Sequence, residues 1–319
     1  MRAIAVSEYG ATPAPMYLPR PVPGPGEILV KVIAAGLSPL DWKLADGMLK
    51  DSVDASFPLI LGQDGAGVVD EVGEGVTRLR HGEQVYGILA APERGLGAFA
   101  EYAIVREDGP VARIPDGMIY TEAAAVPTAG SAALAMLEQA RVDAGQTVLV
   151  VGATGGVGQC LVRLASLAGV KVIATARADM AGTMRRLGAD ETVEYSHGDR
   201  SLSELNAKVL AVHDDGIDAV LDLVGDTSTT ENLARLLRPG GTYLSAVWAV
   251  HPDSMEAKGL RAVNLDDRPS AAALERLSDL IDAGDLRVRV EREVPLEDTP
   301  DALAVNRVGG ARGRTVIRL

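Results

Sequence analysis

The stretch Thr147-Val-Leu-Val-Val-Gly-Ala-Thr-Gly-Gly-Val-Gly158 carries residue types that can hold a phosphate. Thr147–Val151 is rich in β-branched and aliphatic side chains and predicts a buried strand. A glycine-dense turn follows, and Gln159 to Gly169 predicts a helix, with Val157, Leu161, Leu164, Ala165 and Ala168 at helical spacing and Gly169 as its stop. Glycines let the backbone approach an anion, and the first-turn N–H groups of a helix lack intrahelical acceptors. The strand before and the helix after give the glycine pattern the context that a dinucleotide seat requires. In such a seat the second strand ends beneath the adenosine ribose, where an acidic residue about 20 positions beyond the glycines accepts the 2′-hydroxyl of NAD. That strand here ends Ile173-Ala-Thr-Ala-Arg177-Ala-Asp179, with the acid displaced past an arginine. A carboxylate at the tip would repel a 2′-phosphate, whereas Arg177 can pair with it, which favours NADP(H). A solvated surface role for Arg177, and a helix-cap or ribose role for Asp179, are the competing readings.

The elements that must position these residues divide in two. Residues 1 to about 120 are dense in glycine and proline with short alternating runs, such as Glu27–Ala34 and the glycine-spaced Gly62–Gly75. Glycines inside strands mark bulges and corners, so this part reads as a small, strongly curved β domain closing at Pro115-Asp-Gly117. An alanine-rich helix is expected over Glu122–Leu137, interrupted at Pro127 and Gly130. Strand-like segments then fall at Thr147–Val151, Val170–Thr175, Glu191–Tyr195, Asp218–Leu223, Thr242–Val247 and Lys258–Asn264, with a helix Thr227–Leu237 ended by Arg238-Pro-Gly-Gly241. Six strands with crossovers of this length predict an α/β, doubly wound parallel sheet. Ser270–Ala283 reads as an amphipathic helix, and the tail from Leu286 to Leu319 returns to short strands.

Composition bounds the partners. A length of 319 residues is enough for two domains. The formal charge of −13, from 44 acids against 31 bases, disfavours nucleic acid and anionic lipid. No run is long enough to cross a bilayer, and the N-terminus lacks the apolar segment of a signal peptide. The single cysteine, Cys160, cannot form an internal disulfide, which suits a reducing cytoplasm; it reads as a small buried hydrophobe.

Several blocks point to one family. Ala35-Gly-Leu-Ser-Pro-Leu-Asp-Trp-Lys43, then Gly62-Gln-Asp-Gly-Ala-Gly-Val-Val69 with Val72-Gly73, then Gly97-Ala-Phe-Ala-Glu-Tyr102 occur in that order. Val126-Pro-Thr-Ala-Gly130 precedes the glycine turn and Leu187-Gly-Ala-Asp190 follows it. Together they resemble the medium-chain dehydrogenase/reductase superfamily, and within it the zinc-independent quinone oxidoreductases of the zeta-crystallin type. The resemblance implies a GroES-like β-barrel catalytic domain, residues 1–122 with 268–319, and a Rossmann NADP(H)-binding domain, residues 123–267, with the active site in the cleft between them. It implies Thr154, Gly155, Gly156 and Val157 at the pyrophosphate, and Arg177 and Tyr195 at the 2′-phosphate. Thr128 would lie beside the nicotinamide ribose, with Val224 and Ser245-Ala246-Val247 walling the nicotinamide. For Tyr195 an ordinary strand-end aromatic is the equal alternative.

Zinc-dependent members of the superfamily carry Cys and His where this chain has Ser38 and Gln63, and hydroxyl and amide are poor zinc ligands. One cysteine cannot build a structural zinc lobe, and His81, His197, His213 and His251 have no ligand spacing. No metal is therefore expected. Where zinc alcohol dehydrogenases carry a relay histidine this chain has Lys43, and Leu40 replaces the relay hydroxyl. Reduction of a quinone, or of an activated C=C bond as the alternative, needs neither, because water can protonate the product. Ser38, Asp41, Trp42, Lys43 and Tyr86 are the candidates for the substrate pocket, with Lys43 or Tyr86 as donor to a developing oxyanion. Ser38 departs from the asparagine usual in the family. Asp41 also reads as a capping carboxylate, and Trp42 as core. The short-chain dehydrogenase pattern is absent, since none of the seven tyrosines has lysine four residues on. A non-catalytic NADPH-binding sensor or structural protein is the reading outside enzymes. The expected partners are a small-molecule quinone or enone and, from the family and from an apolar edge-like Thr242–Val247, a second copy in a homodimer.

Overall fold

The computed structural model describes residues 1–194 and 199–319. Its contacts divide the chain into one unit of Met1–Ser131 with Pro269–Leu319 and another of Ala132–Arg268.

The first unit opens with β1 (Arg2–Val6), β2 (Ala14–Tyr17), β3 (Glu27–Leu37), α1 (Pro39–Ala45), β4 (Leu59–Ile60) and β5 (Asp64–Val72). Then come β6 (Gln84–Ile88), β7 (Tyr102–Arg106), β8 (Val111–Arg113) and α2 (Tyr120–Ala124), before α3 (Pro127–Ala140), inside which the boundary between units falls. The expected helix over Glu122–Leu137 is thus two helices. Pro127 starts the second of them, where its missing N–H costs nothing, and Gly130 lies inside it against Leu277. The long β3 pairs antiparallel with β5 and with β7, and its register against β5 shifts between Leu29 and Val30 and between Val32 and Ala34. Those bulges give the curvature that the glycine-spaced β pattern called for.

The second unit alternates β9 (Thr147–Val151), α4 (Gly156–Leu167), β10 (Lys171–Thr175), α5 (Ala178–Leu187), β11 (Glu191–Val193) and α6 (Asp199–Leu210). It continues with β12 (Ile217–Asp222), α7 (Thr227–Leu233), β13 (Leu237–Ser245), α8 (Pro252–Glu256) and β14 (Arg261–Asn264). The six strands form one parallel sheet in the order β11-β10-β9-β12-β13-β14. Four of the five residues of β9 are buried, as a sheet covered by helices on both faces demands. Leu149, Val151, Ile173, Val220 and Tyr243 meet Leu202, Leu205 and Val209 of α6 in one core layer. The order reverses beside β9, so the crevice at its carboxyl end is the switch point where such sheets bind nucleotides.

Two expectations change here. Arg238-Pro-Gly-Gly241 does not end a helix; it bulges out of β13, so that Ile217 pairs with Leu237 and Ala219 with Thr242. Thr242–Val247 is not at the edge: β13 lies between β12 and β14, and β14 is the outer strand.

The chain then returns to the first unit as α9 (Ala271–Asp282), β15 (Val290–Pro295), α10 (Thr299–Val308) and β16 (Arg314–Arg318). The Ser270 hydroxyl caps α9 by accepting from Ala273 N–H. β15 and β16 are parallel, with α10 as their crossover, and β16 pairs antiparallel with β3. Val294, Leu296, Leu303 and Ile317 share one core with Ile4, Val6, Ile28, Val30 and Phe99, which joins both ends of the sequence in this unit.

Candidate functional site

At the carboxyl end of β9 the backbone turns through Gly152, whose φ of +82° is open to glycine. Thr175, the last residue of β10, holds this turn: its hydroxyl accepts from Gly152 N–H at 3.0 Å and donates to Val150 O at 3.2 Å. Thr175 is the residue that sequence reasoning passed over. Gly155 caps α4, and Gly156 and Val157 open its first turn. A Cβ at Gly158 would fall 2.4 Å from Gly152 O, so this glycine lets the helix start directly on the turn. A Cβ at Gly155 would meet only Gly152 O at 3.5 Å, which leaves open space over the helix start. Thr154 is tied in by its carbonyl, which accepts from Gln159 Nε2 at 2.7 Å. The cradle fits a pyrophosphate, with backbone N–H groups and a helix N-terminus as its donors.

Arg177 lies two residues beyond β10 as the exposed N-cap of α5, with Asp179 in that helix's first turn. Tyr195 lies outside the described residues. Two further loops stand at the same edge of the sheet, because Asp222 is in register with both Val151 and Ser245. Asp222 is fully buried; its Oδ1 accepts from Val224 N–H at 3.0 Å and Gly225 N–H at 2.8 Å, and its Oδ2 from the Tyr243 hydroxyl at 2.8 Å. Val224 is thereby fixed against the glycine turn, since a Cβ at Gly152 would fall 2.9 Å from Val224 Cγ1. Buried Ser245 does the same for the next loop: its Oγ accepts from Val247 N–H at 3.3 Å and Ala249 N–H at 3.2 Å. Ala246 N–H donates to Asp222 O at 2.8 Å and links the two loops.

The remaining candidates lie in the first unit. Ser38 precedes α1, and Asp41 of that helix is fully buried. Asp41 Oδ2 accepts from Ser38 N–H at 2.7 Å and Oδ1 from Gln63 N–H at 3.1 Å, so the capping reading describes what its carboxylate does. Burial, and after it the nearby Asp64, push this carboxyl up to about 7 despite those donors. Asp64 is also fully buried and raised by burial; Arg314, nearly buried at the start of β16, pairs with its Oδ2 and offsets part of that cost. Thr128 N–H donates to Asp64 Oδ1 at 3.0 Å, and the Thr128 hydroxyl donates to the same oxygen. Ser38, Asp41 and Gln63 are therefore brought together, and Thr128 joins through Asp64.

Among the described residues, Trp42 and Tyr86 are engaged by the elements packed against them, and Lys43 is not. The Trp42 indole donates to Asn306 Oδ1 of α10 at 3.0 Å, beneath the Arg307 guanidinium at 5.3 Å from the ring centre. Lys43 is half-buried, with Nζ 5.7 Å from that ring. Tyr86 is completely buried and its hydroxyl is committed to α9, donating to Leu274 O at 2.8 Å and lying 2.9 Å from Ser278 Oγ. Burial pushes this phenol up to about 12. The Tyr86 hydroxyl is thus held by α9.

Zinc does not fit the positions the sequence singled out. Ser38 offers one buried hydroxyl without a partner, and Gln63 an amide. Among the described residues no three His, Cys, Asp or Glu side chains are grouped to hold a metal ion. His81 Nδ1 lies 2.8 Å from Asp70 O, and His213 Nε2 2.9 Å from Glu191. Nor, among the described residues, is any helix long and apolar enough to cross a membrane.

Comparison with known proteins agrees with this architecture. Residues 24–116 match the alcohol dehydrogenase GroES-like domain, and residues 187–317 match a family described as zinc-binding dehydrogenase. The chain is 32% identical to the chloroplast envelope quinone oxidoreductase homolog of Arabidopsis thaliana, covering 99% of this chain and 98% of that protein. It is 31% identical to the 2-methylene-furan-3-one reductase of Solanum lycopersicum, over 91% of this chain and 71% of that one. Among solved structures, mycobacterial Rv1454c complexed with NADPH superposes with a TM-score of 0.87 at 27% identity, covering 100% of both chains. The chain belongs to the quinone oxidoreductase-like family of the medium-chain dehydrogenase/reductase superfamily, and it is an oxidoreductase.

Proposed function

We propose that this oxidoreductase transfers hydride from NADPH to a quinone without a metal ion. The observation that carries the reading is an intact dinucleotide cradle whose second strand leads to Arg177, in a chain with Ser38 and Gln63 at the zinc-ligand positions. A relative named as a quinone oxidoreductase homolog and a structural neighbour complexed with NADPH support it.

In this reading the glycine turn and the start of α4 bind the pyrophosphate, with Thr175 fixing the turn. Arg177 pairs with the 2′-phosphate. Asp222 and Ser245 hold the two loops that wall the nicotinamide, so the wall is preorganised before an acceptor arrives. Bound NADPH supplies a hydride, and with one proton from water the quinone becomes a hydroquinone. With Tyr86 committed to α9, Lys43 is the candidate left to donate to the developing oxyanion.

The test is oxidation of NADPH by the purified protein with a 1,4-quinone, beside the same assay with an alkenal. Faster turnover of the quinone is expected. Preference for the alkenal would move the chain to the enone reductases, the second reading, which the resemblance to 2-methylene-furan-3-one reductase favours. Tight NADPH binding with no turnover of either acceptor would leave a nucleotide-binding sensor.

A further inference from the structure

Among the described residues, Arg141 and Trp248 are the non-glycine residues with left-handed backbone, at φ +53° and +60°. Arg141 directly follows α3, where that conformation is an ordinary helix ending. Trp248 ends no helix. It lies in the loop after β13, and a bulky side chain is disfavoured at such φ. The surrounding structure enforces the conformation: Ser245 Oγ accepts from the residues on either side of Trp248, Val247 and Ala249. Asn264 then clamps Val250, its Oδ1 accepting from Val250 N–H at 3.3 Å and its Nδ2 donating to Val250 O at 3.0 Å. The result is a fixed loop that leaves an indole 70% exposed.

The neighbouring strand repeats the design. Asp222, buried like Ser245, accepts from two successive N–H groups and holds Val224 45% exposed. Asp222 and Ser245 are in register, so the two loops leave the sheet at one edge, where Val224 touches the glycine turn. Two loops, each braced by a buried polar side chain, thus present apolar surface where a nucleotide's reactive ring would end.

We infer that Trp248 is a specificity-determining platform, beside the loop that carries Val224, which selects flat, fused-ring acceptors over small open-chain ones. The inference rests on the hydride-transfer reading above. An indole face gives a planar conjugated ring a stacking surface that an open-chain enone cannot use fully, and a fixed loop loses little entropy on forming it.

The test compares wild type with Trp248→Ala, Trp248→Gly and Trp248→Phe, using 1,4-naphthoquinone and but-3-en-2-one at saturating NADPH. Trp248→Ala should raise KM for naphthoquinone about tenfold with kcat nearly kept, and KM for butenone should change less than about twofold. Trp248→Phe should retain most of the naphthoquinone affinity. Trp248→Gly, which adopts the left-handed backbone freely, should repeat the alanine result and so separate side chain from loop. NADPH affinity, read by nucleotide fluorescence, checks that each variant is folded. Equal changes for both acceptors, or none for naphthoquinone, would overturn the platform. If wild type turns over neither acceptor, the hydride-transfer reading fails by itself. Binding then decides the platform: naphthoquinone affinity, read by calorimetry with NADPH bound, that falls about tenfold in Trp248→Ala and is kept in Trp248→Phe would uphold it, and equal affinity in wild type and Trp248→Ala would remove it.

Discussion

Arg177 caps α5 with an exposed guanidinium, and that position makes coenzyme choice a one-residue question. Arg177→Asp replaces an attraction for the 2′-phosphate with a repulsion, about 3 kcal/mol in all, or about a hundredfold in affinity. NADPH binding should weaken by about that factor while NADH binding changes little; equal loss of both, measured by fluorescence titration, would take Arg177 out of the 2′-phosphate site. Arg177 does stand at the start of α5, and its place at the strand tip was legible because strand, glycine turn and strand tip follow one another at short, fixed spacing. Thr175 was not, since a threonine at a strand end looks like ordinary β propensity until its hydroxyl is seen between Gly152 N–H and Val150 O. The contacts of Tyr86 were hidden for the opposite reason. Its partners Leu274 and Ser278 lie 188 and 192 residues away, and no local pattern announces α9 as its neighbour.

Hydrophobic runs located the inner strands β9, β10, β12 and β13, because strands buried on both faces are apolar, while the outer β11 and β14 are only partly buried. Where a strand carries a defect the pattern misleads. Proline and two glycines in Arg238–Gly241 look like a terminator, yet they bulge out of a ladder whose pairing resumes at Thr242. Helix α10 stayed hidden in the tail, where β15 and β16 are short and their crossover mixes exposed valines with polar residues. At the carboxyl ends of β12 and β13 the two elements are joined by a side chain, with the Tyr243 hydroxyl donating to Asp222. Tyr243→Phe should lower unfolding free energy by about 1–3 kcal/mol, the cost of leaving a buried carboxyl oxygen short of a donor. Because Asp222 Oδ1 keeps both turn N–H groups, NADPH affinity should fall less than about threefold. A large loss of affinity without loss of stability, from denaturant titration and binding, would mean that Tyr243 acts on the nucleotide rather than through the turn.

For the molecule as a whole, two sets of carboxyls set opposite slopes of stability against pH. Glu27, Glu101 and Asp108 are held below their usual values: Asp108 by its Arg106 partner, Glu101 by donors from Arg2, and Glu27 by Gly24 N–H and Arg94 against the cost of its partial burial. Their contribution is present above the unfolded carboxylate range and is lost as pH falls through their lowered values. Asp41 works the other way. Its value of about 7 in the native state stands above the ordinary 3.8, so between these limits the folded chain holds a proton that the unfolded chain has released. Stability therefore declines as pH rises from about 4 to about 7 and levels off above, by up to a few kcal/mol for a group so buried. Asp64, raised by burial in the same sense, adds to the decline while Arg314 limits its share. Chemical unfolding should show a maximum near pH 5, a fall toward pH 7 and a plateau above it. Asp41→Asn removes the titrating group. Its Oδ1 can replace the carbonyl oxygen of the protonated carboxyl, while its amide nitrogen cannot accept where the second oxygen stood, so a loss of no more than about 1–2 kcal/mol is expected at low pH. The decline between about pH 5 and 7 should be much shallower than in wild type, and curves that stay parallel across that range would show that Asp41 does not carry it.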